Sequence, residues 1–175
     1  AQEEAEISHV KIFSDKVIYS LLDSYTFWVD EDTANEENAV FSEITPIAKF
    51  TFLKGYVFRN SNPAVFGIRV DVGKVRQKMP IMNKNGKRIG LIHQLQDGKK
   101  SIEYATQGQE VACSIQDVTI GRQINEEDVF YSLPSSSEAK KLVEQFSHKL
   151  TPEEQAVLNE ILEIQRKQDS SYGYI

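Results

Sequence analysis

Eight basic side chains fall between residues 74 and 100, namely Lys74, Arg76, Lys78, Lys84, Lys87, Arg88, Lys99 and Lys100, against one acidic residue, Asp97. Cations at this density neutralise phosphates, which positions a nucleic acid without reading its sequence. Arg59 and Arg122 extend the set, and Lys87-Arg88 and Lys99-Lys100 each follow a turn signal, Asn85-Gly86 or Asp97-Gly98. If the two hairpins share a sheet, their ends are expected to form one positive rim. Tyr56, Phe58 and Phe66 flank Arg59 as candidate stacking surfaces for unpaired bases, each worth roughly 1–3 kcal/mol when used. Two plainer readings stand beside these. Lysine gathers at exposed hairpin ends because it discourages edge pairing, and Phe66 sits on an apolar strand face that suits a core.

Catalytic chemistry is not signalled. The sequence has no Gly-x-x-x-x-Gly-Lys-Ser/Thr loop to cradle a nucleotide phosphate, and Asn83-Lys84-Asn85-Gly86 lacks the aspartate of a guanine-reading motif. His9, His93 and His148 lie far apart without metal-ligand spacing. Cys113, the sole cysteine, reads as a small buried hydrophobe, with His93 as its expected core neighbour and not as its base. Ser135–Ser137 lacks the strained turn of a nucleophile elbow, and Glu126-Glu127-Asp128 reads as a surface turn.

The elements that must position these residues follow from periodicity. Val10–Phe13 reads as a short strand, and Ser14 caps a helix whose apolar stripe is Val17, Ile18, Leu21, Leu22, Tyr25, Trp28 and Val29. Beyond Val29 the chain is polar but meets no Pro or Gly until Pro46, so it either continues as a solvated helix or frays into a linker. Residues 44–133 turn to strands: Phe66, Ile68, Val70 and Val72 share one face, and Asn85-Gly86 signals a two-residue hairpin. Many short strands with close-set turns indicate a small barrel or sandwich. Ser135–Ser137 caps a run carrying Leu142, Val143 and Phe146; Thr151-Pro152-Glu153-Glu154 is a capping box opening a helix with Leu158, Ile161 and Leu162 on one face. With the tail's Tyr172, Tyr174 and Ile175, these apolar residues are a candidate groove for a partner peptide, or simply a cap on an open barrel end.

Composition bounds the remaining possibilities. The 175 residues suffice for one core with appendages, at 40% hydrophobic and 26% charged residues. Apolar runs are too short for a membrane span, the polar start argues against a signal peptide, and one cysteine excludes an intrachain disulfide, consistent with a cytoplasmic monomer. The net charge of −6 conceals a segregation: residues 1–43 carry −9, residues 44–132 carry +5 and residues 133–175 carry −2. Local charge is the better guide to a partner, because charges beyond a Debye length of ~8–10 Å are screened.

Phe58-Arg59-Asn60-Ser61-Asn62-Pro63-Ala64-Val65-Phe66-Gly67-Ile68 resembles a signature of translation initiation factor 5B in its archaeal form, a relative of bacterial initiation factor two. Gly86–Gly90, Ile92–Gln96 and Val118–Ile124 resemble the same family in the same order, and Val10–Ser14 with Val17–Tyr19 resembles the end of its third domain and the start of its long connecting helix. The resemblance implies a mainly β, α+β fold: an antiparallel translation-factor β-barrel preceded by a long helix and followed by two short helices. It implies the tail of a preceding α/β domain at 1–13, connecting helix and linker at 14–40, barrel at 41–133 and helices at 134–175. It further implies a tRNA- and factor-binding module that recognises the aminoacylated acceptor end of initiator methionyl-tRNA on the ribosome and docks initiation factor 1A. GTP and magnesium would belong to a G domain of the parent protein, and no cofactor to this region. The rival reading is a protein-interaction module with no RNA contact. One departure stands out: Lys78 occupies the place where the family often has a second glycine after Gly73, and the turn there is expected to be altered.

Overall fold

The computed structural model describes residues 18–174, so the strand over 10–13, the Ser14 cap, Val17 and Ile175 lie outside the described residues. The chain divides into two units, residues 1–43 and 44–175. In the first, helix α1 runs Ile18–Glu43, well past the last stripe residue Val29. No breaker interrupts it, and the hydroxyls of Thr26 and Thr33 donate to the carbonyls of Leu22 (2.9 Å) and Val29 (2.8 Å), satisfying polar groups inside the helix. Leu22, Tyr25 and Phe27 are exposed.

The second unit begins with strands β1 (Ala48–Arg59), β2 (Ala64–Arg76), β3 (Pro80–Asn83) and β4 (Arg88–Asp97). They are followed by β5 (Lys100–Ile102), β6 (Tyr104–Thr106), β7 (Glu110–Ile115) and β8 (Val129–Ser132). The order β1-β8-β3-β4-β7-β2, closed by β2 pairing β1, makes a ring of antiparallel strands, while β5 and β6 extend β4 and β2 outward. Closure leaves the ring without an edge and defines an interior. Phe50, Phe52, Phe66 and Phe130 fill it, with Phe52 and Phe66 centroids 4.3 Å apart. Phe66 is therefore core and not a stacking platform.

Alternation along β2 holds through Phe66, Ile68 and Val70 and then shifts phase, so that Val75 is the next buried side chain and Val72 only half-buried. The shift comes from a bulge at Asp71, where Phe50 pairs with Val70 and the adjacent Lys49 with Val72; two residues on, Gly73 (φ +75°) stands where a Cβ would lie 2.0 Å from the Ile47 carbonyl oxygen. Only glycine fits so close an approach. Lys78 corrects the expectation of an altered turn: it adopts the left-handed conformation itself (φ 62°), and its amide donates to the Ile92 carbonyl at 2.7 Å. The β3–β4 turn also differs from the two-residue hairpin read from Asn85-Gly86. Asn83 N–H donates to the Lys87 carbonyl, leaving a three-residue loop with Gly86 at φ +80°. The Asn83 side-chain oxygen accepts from both the Asn85 and Lys87 amides, which selects the longer loop.

Helices α2 (Ser136–Glu144) and α3 (Pro152–Arg166) close the unit, each opened by a reciprocal capping box, Ser135/Glu138 and Thr151/Glu154. Glu138 also accepts from the Thr45 amide (2.9 Å) and hydroxyl (3.1 Å), tying α2 to the segment entering β1. Burial opposes its charge, yet the amides of Ser135 and Thr45 hold its carboxyl below the usual range. Helix α3 is pinned to the barrel by Glu160, which accepts from Lys49 (2.9 Å) and from the Tyr131 hydroxyl (2.7 Å).

Candidate nucleic-acid interface

The basic residues do not form one rim. The β3–β4 loop and the β4–β5 turn lie at opposite ends of the ten-residue strand β4, so Lys87-Arg88 and Lys99-Lys100 are about 30 Å apart at ~3.3 Å per residue. Successive turns of a meander must alternate between the two ends of the barrel, and the expectation of one rim overlooked this. Lys84, Lys87, Arg88, Lys99 and Lys100 are exposed. Lys74 and Arg76 are half-buried at the end of β2 beside β6, with the Lys74 ammonium 3.8 Å from the Tyr104 ring centroid. Arg59 is exposed at the end of β1. Arg122 is exposed in the loop that hydrogen-bonds back to Asn60 through the Ile120 amide.

Between the two cationic ends the outer face of the barrel is indented. One cleft of about 690 Å³ is walled by Gln77, Lys78, Ile89–Gln94, Gln116 and Asp117. It shares His93 and Gln94 with a depression of about 180 Å³, which in turn shares Gln96 and Ala112 with a niche of about 230 Å³. The three depressions share lining residues and succeed one another along β4 and the turn after it, from Ile89 to Gly98, a trough in three parts. A bulge between Ile92 and Gln94 puts His93 and Gln94 together on this face. Its middle is rich in carboxamides, with Gln116 Nε2 3.5 Å from His93 Nδ1 and Gln77 and Gln94 both near the Ser101 hydroxyl. The niche is apolar and aromatic: Leu53, Tyr56, Phe58, Val111 and Ala112 surround Gly67, and Tyr56 and Phe58 are 54% and 64% exposed. A side chain at Gly67 would meet the Tyr56 Cβ at 2.7 Å, so glycine lets the Tyr56 ring lie on the sheet. Sequence reasoning had Tyr56 and Phe58 but missed the carboxamides, whose only signal was Gln94 and Gln96 on one strand with Gln77 and Gln116 elsewhere in the chain.

Cys113 faces the core, and burial pushes its thiol up to about 12, whereas His93 is exposed on the outer face, not the core neighbour expected. Among the described residues no cluster of three metal-ligating side chains exists, and no helix is long and apolar enough to cross a membrane.

The C-terminal apolar set is also rearranged relative to an open groove. Leu142, Phe146, Leu158, Ile161, Leu162 and Tyr172 are all buried, leaving Val143 and Tyr174 as the exposed members. The tail turns back at Asp169 and fills the space itself. The Tyr172 hydroxyl donates to the Pro134 carbonyl, Gly173 N–H donates to the Ser136 hydroxyl (2.9 Å), and the Arg166 guanidinium lies 4.0 Å over the Tyr174 ring.

Three comparisons bear on this arrangement. Residues 46–131 match the family model described as elongation factor Tu domain 4. The probable translation initiation factors IF-2 of Hyperthermus butylicus and Ignicoccus hospitalis are 40% and 38% identical to the chain over its whole length, and the chain spans 29% of each. The crystal structure of GDP-bound aIF5B from Aeropyrum pernix superposes with a TM-score of 0.75 at 37% identity, covering 99% of this chain and 29% of that one. With the motifs of residues 58–68, 86–96 and 118–124 and the closed barrel between a long helix and two short ones, these matches show that the chain belongs to the C-terminal region of the archaeal IF-2/aIF5B family of translation initiation factors.

Proposed function

We propose that the barrel seats the aminoacylated acceptor end of initiator tRNA, within a longer factor whose GTPase activity resides in a separate G domain. The trough along β4 is the observation that carries this reading. Its length suits about four unpaired nucleotides, the lower end of single-strand site sizes on small barrels. Its ends carry the cations a phosphate chain needs, and Tyr56 and Phe58 offer ring faces. Arg59, Lys74, Arg76 and Arg122 stand around the barrel as further phosphate contacts.

Docking of initiation factor 1A on the terminal helices belongs to the same proposal, through the exposed Val143 and Tyr174 and not through the buried set. Ribosome binding follows from the family's role in initiation. Neutralising Lys87 and Arg88 together tests the RNA reading. The affinity for initiator tRNA should fall, and the slope of log affinity against log salt should flatten by about one counterion per lost contact. An unchanged slope removes that pair from the interface.

A further inference from the structure

The cations of the β3–β4 loop do not stand on a free turn. Lys84, Lys87 and Arg88 are exposed, yet Gly86 among them is buried. The end of α3 covers it. Gln165 Nε2 donates to the Gly86 carbonyl (3.1 Å) and to the Met82 sulfur, and Gln168, two residues beyond the helix, donates to the Asn85 carbonyl (2.8 Å). A Cβ at Gly86 would meet Gln168 at 2.6 Å, Ile164 at 2.9 Å and Gln165 at 3.3 Å, so the packing demands glycine as much as φ +80° does. An exposed loop of this kind ordinarily gives its tip carbonyls to water. Here a helix from the other end of the domain takes them.

That helix end is itself held from two sides. Terminal turns fray because their last carbonyls lack partners. Five residues before Gln165, Glu160 fixes α3 to Lys49 and Tyr131 of the barrel. Between the two glutamines, Arg166 Nε donates to the Tyr172 carbonyl (3.0 Å), and its guanidinium stacks on Tyr174. The folded-back tail therefore steadies the turn that carries Gln165 and Gln168.

Resting on the reading above that the loop's cations contact RNA, we infer that Gln165 and Gln168 are positioning residues for that contact. They carry no charge and act on the loop through its backbone. By fixing the loop before RNA arrives, they remove the ordering cost that binding would otherwise carry. The C-terminal helices thus serve the cationic end of the barrel at a distance from any surface of their own.

The test compares the 175-residue parent with Gln165→Ala/Gln168→Ala, with Lys84→Gln/Lys87→Gln/Arg88→Gln, and with all five changes together. Without RNA, amide hydrogen exchange at Asn85, Gly86 and Lys87 should quicken about tenfold in the glutamine variant, with Phe66 in the barrel core unchanged. Initiator tRNA should bind that variant about fivefold more weakly than the parent. Once the three cations are neutral, the same glutamine change should have no measurable effect, because a positioning residue has nothing left to position. If the double change unravels the helix end, Gln168→Ala alone, at an exposed side chain, makes the same comparison with a loss of about twofold. An equal loss in both backgrounds, undiminished affinity in the glutamine variant, or unchanged exchange at 85–87 overturns the inference and leaves the RNA reading standing. No loss on neutralising the three cations overturns the RNA reading at this loop and the inference with it.

Discussion

Replacing Lys78 with glycine should stabilise the barrel, although it removes a side chain. Lys78 holds φ at 62°. Left-handed backbone costs a residue with a Cβ about 1–2 kcal/mol, and glycine escapes that cost while giving back about 0.5–1 kcal/mol through its freer unfolded state. The net expectation is a gain of about 0.5–1 kcal/mol for Lys78→Gly. Lys78→Ala keeps the strain and should stay within about 0.5 kcal/mol of the parent. Urea unfolding followed by far-ultraviolet circular dichroism separates the two, provided the m-values agree. A glycine variant no more stable than the alanine variant would refute the strain argument. Both variants remove the cation that walls the large cleft, so both should weaken RNA binding by the same factor. A difference between them in binding alone would mean that the backbone strain, and not the charge, serves the ligand.

Glu138→Gln weakens the α2 cap and the tie to Thr45, and should cost about 1 kcal/mol at neutral pH. The folded-state pKa of Glu138 is lowered, so its contribution is present above its unfolded pKa and lost as pH falls through the folded one; parent and variant should therefore converge in acid. Denaturation midpoints at pH 7 and pH 3 check this. Gly73→Ala must move the Ile47 carbonyl and should destabilise by more than about 3 kcal/mol, read from the same urea curves. Cys113 should react with a thiol reagent only at the rate of global opening, since it is fully buried with its thiol pushed up to about 12; rapid labelling under native conditions would contradict its place in the core.

Local patterns carried much of the fold. The alternation at 65–70 gave the barrel wall, Thr151-Pro152-x-Glu154 gave the start of α3, and Ser135 the start of α2. What sequence could not carry was long-range geometry. The phase shift in β2 comes from a bulge at Asp71, visible only in the pairing of β2 with Lys49 and Phe50 of β1. The tail fills the apolar space between the helices because Tyr172 reaches Pro134 and Gly173 reaches Ser136, contacts with no periodic signature. For the site, the cations were legible as a composition bias, but their separation along β4 depends on strand order. The trough joins Gln94 and Gln96 of β4 to Gln77 and to Gln116, and only the pairing of β4 with β7 brings Gln116, which follows β7, beside β4.

The central claim, that this barrel is an acceptor-end module, is tested most directly by amide chemical-shift titration with a methionyl initiator acceptor minihelix and, separately, with initiation factor 1A. The expected result is that the RNA perturbs residues 77–78, 89–98 and 116–117 while the protein perturbs the α2–α3 surface around Val143 and Tyr174. If the RNA leaves the β4 trough unchanged and only the protein perturbs the spectrum, the chain is a protein-interaction module and the account of the trough is wrong.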